Sequence, residues 1–485
     1  MANRSRRRFL EDSLLAAAAM AAAPVGWVFA KDEGQSSAAD KLGVAVIGTR
    51  GRGQAHIGAF IGRKDTEVTY LCDPDEKIGQ QRVEQVAKKQ GRKPKFVRDM
   101  REIFDDKSVD IVSIATPNHW HSLAGIWAMQ AGKDVYVEKP VSHNVQEGRS
   151  LVETARKYKR ICQAGTQCRS TEGTQSAIEY VHSGKIGEVK LARGLCHRRR
   201  GGIGDRGVYD VPKEVDYSLW LGPAPMGPLT RPRFHYDWHW QWRCGNGDLG
   251  NQGIHQMDIA RWGLGLDRLS DRIVAYGGRV GYGDNEAGET NNLQVAMHEF
   301  GDKTLVFEVR NLKTDPLMGA GVGVIFYGSN GYVVLRSYNG GVALDKDGKE
   351  IAKFEGGGDH FDNFVKAVRS RKPEELNGEI LQGHLSSALC HTGNISNLLG
   401  DEIPVSEIKN RLPAVKTNED TATTYGRVEQ HLKDNGLDPE KTKLRYGVTL
   451  TFDPKSEKFV GNDKANAMLT RESRKPFIVP DPDKV

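Results

Sequence analysis

The chain has 485 residues, 38% hydrophobic and 27% charged, with a formal charge of +6 and a mean hydropathy of −0.54. That length predicts two to three domains and excludes a single small module. The near balance of charge excludes an extended nucleic-acid-binding surface. The 55 glycines show no collagen period, and the six cysteines form no CxxC pair and suggest no disulfide framework.

Residues 1–30 read as a targeting segment and are kept apart from the fold. Ser5-Arg6-Arg7-Arg8-Phe9-Leu10 has the S-R-R-x-F-L form of a twin-arginine signal. An Ala-rich apolar run follows to Ala30, with Val28-Phe29-Ala30 as a candidate cleavage site. The run is short for a bilayer span, and no other stretch is apolar enough. The expectation is export of a folded protein by the twin-arginine route, to the periplasm or otherwise out of the cytoplasm. No stable membrane span is expected after signal removal. Residues 31–41 read as a linker.

From residue 42 the pattern is that of alternating strands and helices. Leu42–Ile47 is a continuous apolar run, the mark of a strand buried on both faces. Glycines and a helical stretch from Gln54 to Ile61 follow, then a second strand over Val68–Cys72 ending at Asp73. Asp110–Ala115 is another strand, broken by Thr116-Pro117-Asn118, and Val135–Val137 precedes Glu138-Lys139-Pro140. Such alternation means βαβ units and a parallel sheet. After about residue 165 the period changes to two. Leu293, Val295 and Met297 alternate with Gln294, Ala296 and His298, which predicts antiparallel strands with one face covered. The fold class is therefore α/β. A Rossmann domain spans 42–164, and a C-terminal α+β domain with an open, mostly antiparallel sheet spans 165–400. Residues 401–485 are polar and weakly periodic, and read as an extended arm.

Gly48-Thr49-Arg50-Gly51-Arg52-Gly53 lies between the first strand and the first helix, where a dinucleotide fold holds its pyrophosphate over a helix N-terminus. Position 50 of the usual G-x-G-x-x-G is Arg, so Gly51 is expected to supply the close backbone approach one residue late. Asp73 ends the second strand, where an acid accepts hydrogen bonds from the adenine-ribose hydroxyls and disfavours a 2′-phosphate. The cofactor expected is NAD, with NADP kept as the alternative because Arg50 and Arg52 suit a phosphate. Lys139, at the carboxyl edge of the sheet, suits a hydrogen bond to the oxygen whose carbon loses hydride, and Pro140 is a candidate cis residue.

The glycine loop, Cys72-Asp73, Ala115-Thr116-Pro117-Asn118-His119-Trp120-His121 and Glu138-Lys139-Pro140 occur in order at fitting distances. Together they resemble the Gfo/Idh/MocA family of oxidoreductases, and the resemblance continues through Asp216–Pro223 and Gly253–Asp258 over roughly residues 42–480. It implies cofactor contacts from Gly48, Arg50, Gly51, Arg52, Gly53, Asp73, Thr116, Pro117, Asn118, His119, His121, Glu138 and Lys139. His119 is expected to line the nicotinamide pocket. It implies Lys139 as the catalytic lysine and His255 as the acid/base of a D-x-x-x-H pair. The aspartate of that pair is Asn251 here, and an amide cannot accept a proton; Asp248 and Asp258 are the neighbouring acids. The resemblance also implies a homo-oligomer formed through the C-terminal sheet.

The loop Arg233–Arg243 crowds aromatic and hydrogen-bonding side chains together. Aromatic platforms flanked by polar groups suit carbohydrates, so His235, Trp238, His239, Trp240 and Arg243 are the expected substrate contacts. The histidines at 119, 121, 235 and 239 lack carboxylate partners, and no metal site is expected. The expected reaction is hydride transfer between nicotinamide and a hydroxyl or keto carbon of a sugar, polyol or glycoside. A glycosidase acting by transient oxidation and a sugar-binding regulator are the alternatives.

Overall fold

Six apolar strands run parallel in the N-terminal half of the computed structural model, which describes residues 41–412 and 418–485. The predicted signal segment lies outside the described residues. The strands are β1 (Leu42–Ile47), β2 (Thr66–Cys72), β3 (Lys95–Val97), β4 (Ile111–Ile114), β5 (Asp134–Val137) and β6 (Cys162–Ala164). Their order is β3-β2-β1-β4-β5-β6. β4 and β5 are buried at every residue, as parallel strands covered on both faces must be. The crossovers run through α1 (Arg52–Ile61), α2 (Glu76–Gln90), α3 (Asn118–Gln130) and α4 (Val145–Lys157). Asp75 caps α2 by accepting from the Ile78 amide at 3.1 Å, and Asn144 caps α4 through the Glu147 amide at 2.9 Å. Strand order reverses between β1 and β4, so their carboxyl ends part and leave a crevice.

The second half is built on a twelve-stranded sheet. It contains β7 (Val189–His197), β8 (Arg272–Gly278), β9 (Leu293–Phe300), β10 (Lys303–Arg310), β11 (Val322–Gly328), β12 (Gly331–Ser337), β13 (Gly340–Asp345) and β14 (Glu350–Glu355). β7 and β10 are parallel and the other pairs antiparallel. One face packs on α5 (Glu172–His182), α6 (Gly247–Asn251), α7 (Gly253–Gly263) and α8 (Ile380–Leu398).

Three features depart from the expectations. The sheet is covered on both faces at β8–β10: Gln294, Ala296 and His298 are as buried as Leu293, Val295 and Met297. The cover comes from residues 401–485, which are more than an extended arm. They supply β15 (Asp401–Pro404), β16 (Lys443–Tyr446), β17 (Leu450–Asp453) and β18 (Lys458–Phe459), of which β16 and β17 pair with β8. They also supply a short helix, Val405–Arg411, and α9 (Thr421–Asp434). Val405, Ile408, Tyr425, Val428 and Leu432 from these helices close over Leu293, Val295, Met297 and Val306. Finally, the helix His360–Ser370 packs on the Rossmann core through Phe361, Phe364, Val365 and Val368, so a cut near residue 164 crosses a continuous apolar core.

Residues near 475 return to both domains. Phe477 sits edge-on to Trp120, with ring centres 5.3 Å apart, and the Arg474 Nε donates to the Gly222 carbonyl at 3.0 Å. Among the described residues no helix is long and apolar enough to cross a membrane.

Candidate active site

The crevice at the β1/β4 reversal opens into a cavity of about 330 Å³. Its floor is the β1–α1 loop and the ends of β2, β4 and β5; its roof is the stretch Leu219–His239 of the second domain.

The glycine loop divides its work unusually. Gly48 has φ +82°, and a Cβ there would lie 2.7 Å from the Ala115 carbonyl oxygen. At Gly53 a Cβ would lie 1.9 Å from the Gly48 oxygen, so helix and strand approach as closely as they do only because both are glycine. Gly51 has φ +48° and stands at the N-cap of α1, and a Cβ there would meet nothing within 4 Å. No side chain caps α1, and although the Gly53 and Gln54 amides bond back to the Arg50 and Gly51 carbonyls, the positive dipole end of the helix faces open space that suits a pyrophosphate. Asp73 is buried and takes three hydrogen bonds, from the Thr49 amide (2.8 Å), the Thr49 hydroxyl (2.9 Å) and the Asp75 amide (3.0 Å). Burial raises its carboxyl above the usual range. The Thr116 hydroxyl also lines the cavity and is buried without a partner, a polar atom that a bound group would satisfy. These residues fit a dinucleotide.

Arg52 and Glu138 do other work than contact alone. The Arg52 Nε donates to Glu138 Oε1 at 2.7 Å; His56 and Gln167 reach the same oxygen at 3.1 Å and 2.9 Å. His56 extends the chain to the Ser113 hydroxyl at 2.8 Å, across the sheet. The Arg52 guanidinium holds the buried Glu138 carboxyl well below its usual range despite desolvation. This network fixes the turn that carries Lys139. Sequence reasoning missed His56 and Gln167, because neither stands in a motif.

Lys139, joined by a cis bond to Pro140, points its ammonium at the Asn251 carbonyl oxygen, 2.6 Å away. Burial lowers its pKa, with Arg52 and Arg200 adding to the effect against Glu138 and Asp248. The side chain of Asn251 turns away and donates to Asp248 at 3.0 Å. Asp248 is itself clamped by both ends of Arg200, at 2.9 Å each, and Asp258 by Arg169 at 2.7 and 2.9 Å. Neither neighbouring acid is free to replace the missing aspartate.

The four substrate-loop aromatics separate. Trp238 and His239 line the cavity, their rings stacked with centres 3.6 Å apart. The His239 Nδ1 faces the Tyr236 carbonyl, which places the ring proton there and leaves Nε2 as an acceptor. Burial, then the Lys139 charge, pushes His239 down to about 3. Tyr236 holds a positive φ of 68°, and its hydroxyl oxygen accepts from the Arg200 guanidinium at 3.2 Å; such strain is kept where surrounding contacts over-determine it. His235 lines the cavity and bonds Asp75 at 3.0 Å, bridging the roof to the first domain.

Other predicted contacts lie elsewhere. Trp240 is buried with Ile203 and Ala287, and Arg243 donates to the Pro228 carbonyl at 3.0 Å; neither lines the cavity. Successive residues of the 3-10 turn Asp237–Trp240 point different ways, which aromatic content alone does not reveal. His119 does not line it either: its ring is held between the Trp220 (3.0 Å) and Cys244 (3.4 Å) carbonyls, and burial pushes it to about 3. His121 does line it, tied to the Pro140 (2.6 Å) and Thr116 (2.8 Å) carbonyls, as do Pro117, Asn118 and Arg50. His255 is outside the lining. Its Nδ1 is buried without a partner, its ring lies 5.3 Å from that of Tyr338, and burial and then the Lys139 charge lower it to about 3. Among the described residues no group of three or more His, Cys, Asp or Glu is placed to hold a metal ion.

A Rossmann crevice with a glycine loop, an acid ending β2 and a lysine ending β5 defines a nicotinamide-dinucleotide oxidoreductase. Residues 42–166 match the NAD-binding Rossmann fold of the Gfo/Idh/MocA oxidoreductase family, and residues 201–428 match that family's C-terminal alpha/beta domain. The chain belongs to the Gfo/Idh/MocA oxidoreductase family. Levoglucosan dehydrogenase of Pseudarthrobacter phenanthrenivorans is 26% identical over 228 residues, 46% of this chain and 51% of that enzyme. Alpha-N-acetylgalactosaminidase of Shewanella oneidensis is 27% identical over 150 residues, 30% of this chain and 33% of that enzyme. The chain thus matches about half the length of the first and a third of the second. In fold it is similar to the WlbA dehydrogenase of Bordetella pertussis, crystallised with NADH and UDP-GlcNAcA, with a TM-score of 0.53 at 18% identity over 72% of this chain and 94% of that one.

Proposed function

We propose that this oxidoreductase exchanges a hydride with a carbon bearing a hydroxyl or keto group on a sugar, polyol or glycoside. The observation that carries the reading is the convergence of Lys139 and His239 on one cavity, beneath an aromatic roof. When bound, the nicotinamide supplies the hydride chemistry. The chain supplies the rest. Lys139, oriented by the Asn251 carbonyl, donates a hydrogen bond to the reacting oxygen and stabilises its developing charge. Its lowered pKa makes the ammonium a readier proton donor. The His239 Nε2, its tautomer fixed by Tyr236, accepts the hydroxyl proton as hydride leaves the carbon that bears it; burial makes the ring a weak base, so the transfer depends on that loss of hydride acidifying the hydroxyl. Trp238 offers a flat face for the C–H side of a ring, and the roof excludes water.

The galactosaminidase relative favours a second reading, a glycosidase that oxidises a ring hydroxyl transiently. There His239 removes the proton next to the transient ketone, the aglycone leaves, water adds, and the ketone is reduced back. A glycoside deuterated at the oxidised carbon separates the readings. A dehydrogenase releases ketone and deuterated NADH in step; a glycosidase releases sugar and aglycone with no net NADH. Protein that does neither with any glycoside or polyol overturns both.

Two further readings rest on the sequence. The Arg6-Arg7 pair supports twin-arginine export, and replacing both by Lys should leave the protein in the cytoplasm; normal export of that variant overturns it. Self-association through the large sheet is narrowed to β11–β14, since α9 covers β8–β10. Light scattering of the purified protein tests it, and a monomer overturns it.

A further inference from the structure

Lys139 reaches the cavity from the floor and His239 from the roof, and one side chain that touches neither ties the two together. Arg200 stands three residues past the end of β7. Its backbone is pinned on both sides: its amide donates to the Asn311 carbonyl at 2.8 Å, and its carbonyl accepts from the Tyr282 hydroxyl at 2.9 Å. Its guanidinium lies over the Trp240 ring, 5.3 Å from the ring centre, so this indole supports the arginine rather than lining the cavity. All three guanidinium nitrogens donate, in two directions. Nε and one Nη meet the two oxygens of Asp248 at 2.9 Å each, and the other Nη meets the Tyr236 hydroxyl at 3.2 Å.

Toward the floor, the fully buried Asp248 accepts from the side-chain amides of Asn251 at 3.0 Å and Asn311 at 2.8 Å. That hold on Asn251 keeps its backbone carbonyl on the Lys139 ammonium, 2.6 Å away. Toward the roof, Tyr236 is exposed and has φ +68°, and the bond from Arg200 is the one hydrogen bond its hydroxyl makes among the described residues. Its carbonyl takes both the His239 amide, at 3.2 Å, and the His239 Nδ1. An unbroken chain therefore runs Lys139, Asn251, Asp248, Arg200, Tyr236, His239, and Asn251 and Tyr236 both line the cavity. We infer that Arg200 is the positioning residue of this site: it fixes the separation of the proton donor and the proton acceptor, through Asn251 on one side and Tyr236 on the other. A planar fork does this and an ammonium does not, because one rigid group must meet a carboxylate with two donors and a phenol with a third. Without the fork, Tyr236 loses the side-chain contact that holds its strained backbone, its carbonyl leaves Nδ1, and the ring proton of His239 is free to sit on either nitrogen. The inference rests on the roles given above to Lys139 and His239 and adds the residue that sets them in register.

The test reads His239 directly, in the full protein saturated with NAD at neutral pH and without substrate. Nitrogen NMR of protein labelled in histidine reports which ring nitrogen carries the proton, and His239→Gln assigns the signal by its loss. Wild type is expected to show the Nδ1–H form alone. Arg200→Lys keeps a charge beside Asp248 but not the fork. Tyr236→Phe removes only the hydroxyl that meets the fork and leaves no buried charge unpaired, so it stands even if Arg200→Lys does not fold. Both variants should show a mixture of the two tautomers. Turnover of glucose, sorbitol and methyl β-glucoside gives the second readout: kcat should fall roughly tenfold to a hundredfold in both, the usual cost of misplaced reacting groups, while NADH binds as in wild type. In a His239→Gln background Arg200→Lys should cost less than it does alone, since the two residues act in one chain. A purely structural arginine would lower stability and leave both the tautomer and the kcat of folded protein unchanged; that result overturns the inference and leaves the sugar reading intact. Mixed tautomers with unchanged kcat overturn it as well, because His239 then does not take the proton. Should wild type act on no sugar, polyol or glycoside, the sugar reading falls, and the tautomer alone decides for or against Arg200.

Discussion

His239 and His255 are both buried imidazoles under the influence of Lys139, yet they differ in what they can reach. His239 lines the cavity with Nε2 left as an acceptor, whereas His255 is outside the lining and has an orphaned Nδ1. His239→Ala should lower kcat by about 10²–10⁴, the usual worth of a positioned base. Lys139→Ala should lower it by about 10²–10³ as the donor to the developing oxyanion is lost. His255→Asn should cost much less. NADH fluorescence titration should show cofactor binding in all three variants, since Gly51 and Asp73 are untouched. A collapse of kcat in His255→Asn with near-normal His239→Ala would return the proton to His255. These residues were unequally legible in the sequence. Gly48, Gly53, Asp73 and Lys139 announce themselves because a strand, a turn and a helix are local features and fix where such residues stand. That Trp240, Arg243 and His119 turn away from the cavity is not legible, because the direction each side chain takes is set by partners far along the chain, such as Ala287 and Trp220.

Residues 401–485 show how a polar segment becomes an element. Their apolar residues are sparse, but Tyr425, Val428 and Leu432 recur at helical spacing and lie against β8–β10. The polarity itself is used. Glu308, fully buried on β10, meets Arg193 from β7, Arg310 from its own strand at 2.5 Å and Arg427 from α9 at 2.8 Å, while Glu419 also meets Arg193. The arginines hold the Glu308 carboxyl well below its usual range. Replacing one member of a buried network leaves charge uncompensated, so Glu308→Gln should destabilise the protein by about 3–5 kcal/mol. Urea unfolding would measure the loss, and amide exchange should show α9 losing protection first. Unchanged stability would mean that solvent reaches the arginines. The Rossmann strands needed no such long-range knowledge, since each packs beside a neighbour close in sequence, whereas the helix His360–Ser370 that covers them comes from far along the chain. The cover on the second sheet pairs residues more than a hundred positions apart, and no local period records that.

At the scale of the molecule, histidine sets the response to acid. His119, His255, His298 and His391 are buried and pushed down to about 3, chiefly because burial disfavours the charged ring. In the unfolded chain each takes a proton near its ordinary pKa of about 6.5. Between about 6.5 and 3 the unfolded state therefore binds more protons than the folded one, and stability falls as pH falls through that window. The carboxyls of Glu138, Glu308 and Glu457 lie below their usual range, so their contribution is intact until the pH nears the ordinary glutamate value, and is lost only below it. A decline between about pH 7 and about pH 5 thus belongs to the histidines. His298 is the cleanest member, since desolvation is its sole cause of shift; its Nδ1 meets only the Ser270 hydroxyl at 3.2 Å. His298→Leu should flatten the slope of unfolding free energy against pH by about 1.4 kcal/mol per unit, one proton's worth, below about pH 6. Urea unfolding at closely spaced pH values measures it. If the wild-type midpoint stays level down to about pH 5, the buried rings accept protons without opening the fold, and burial does not hold them neutral.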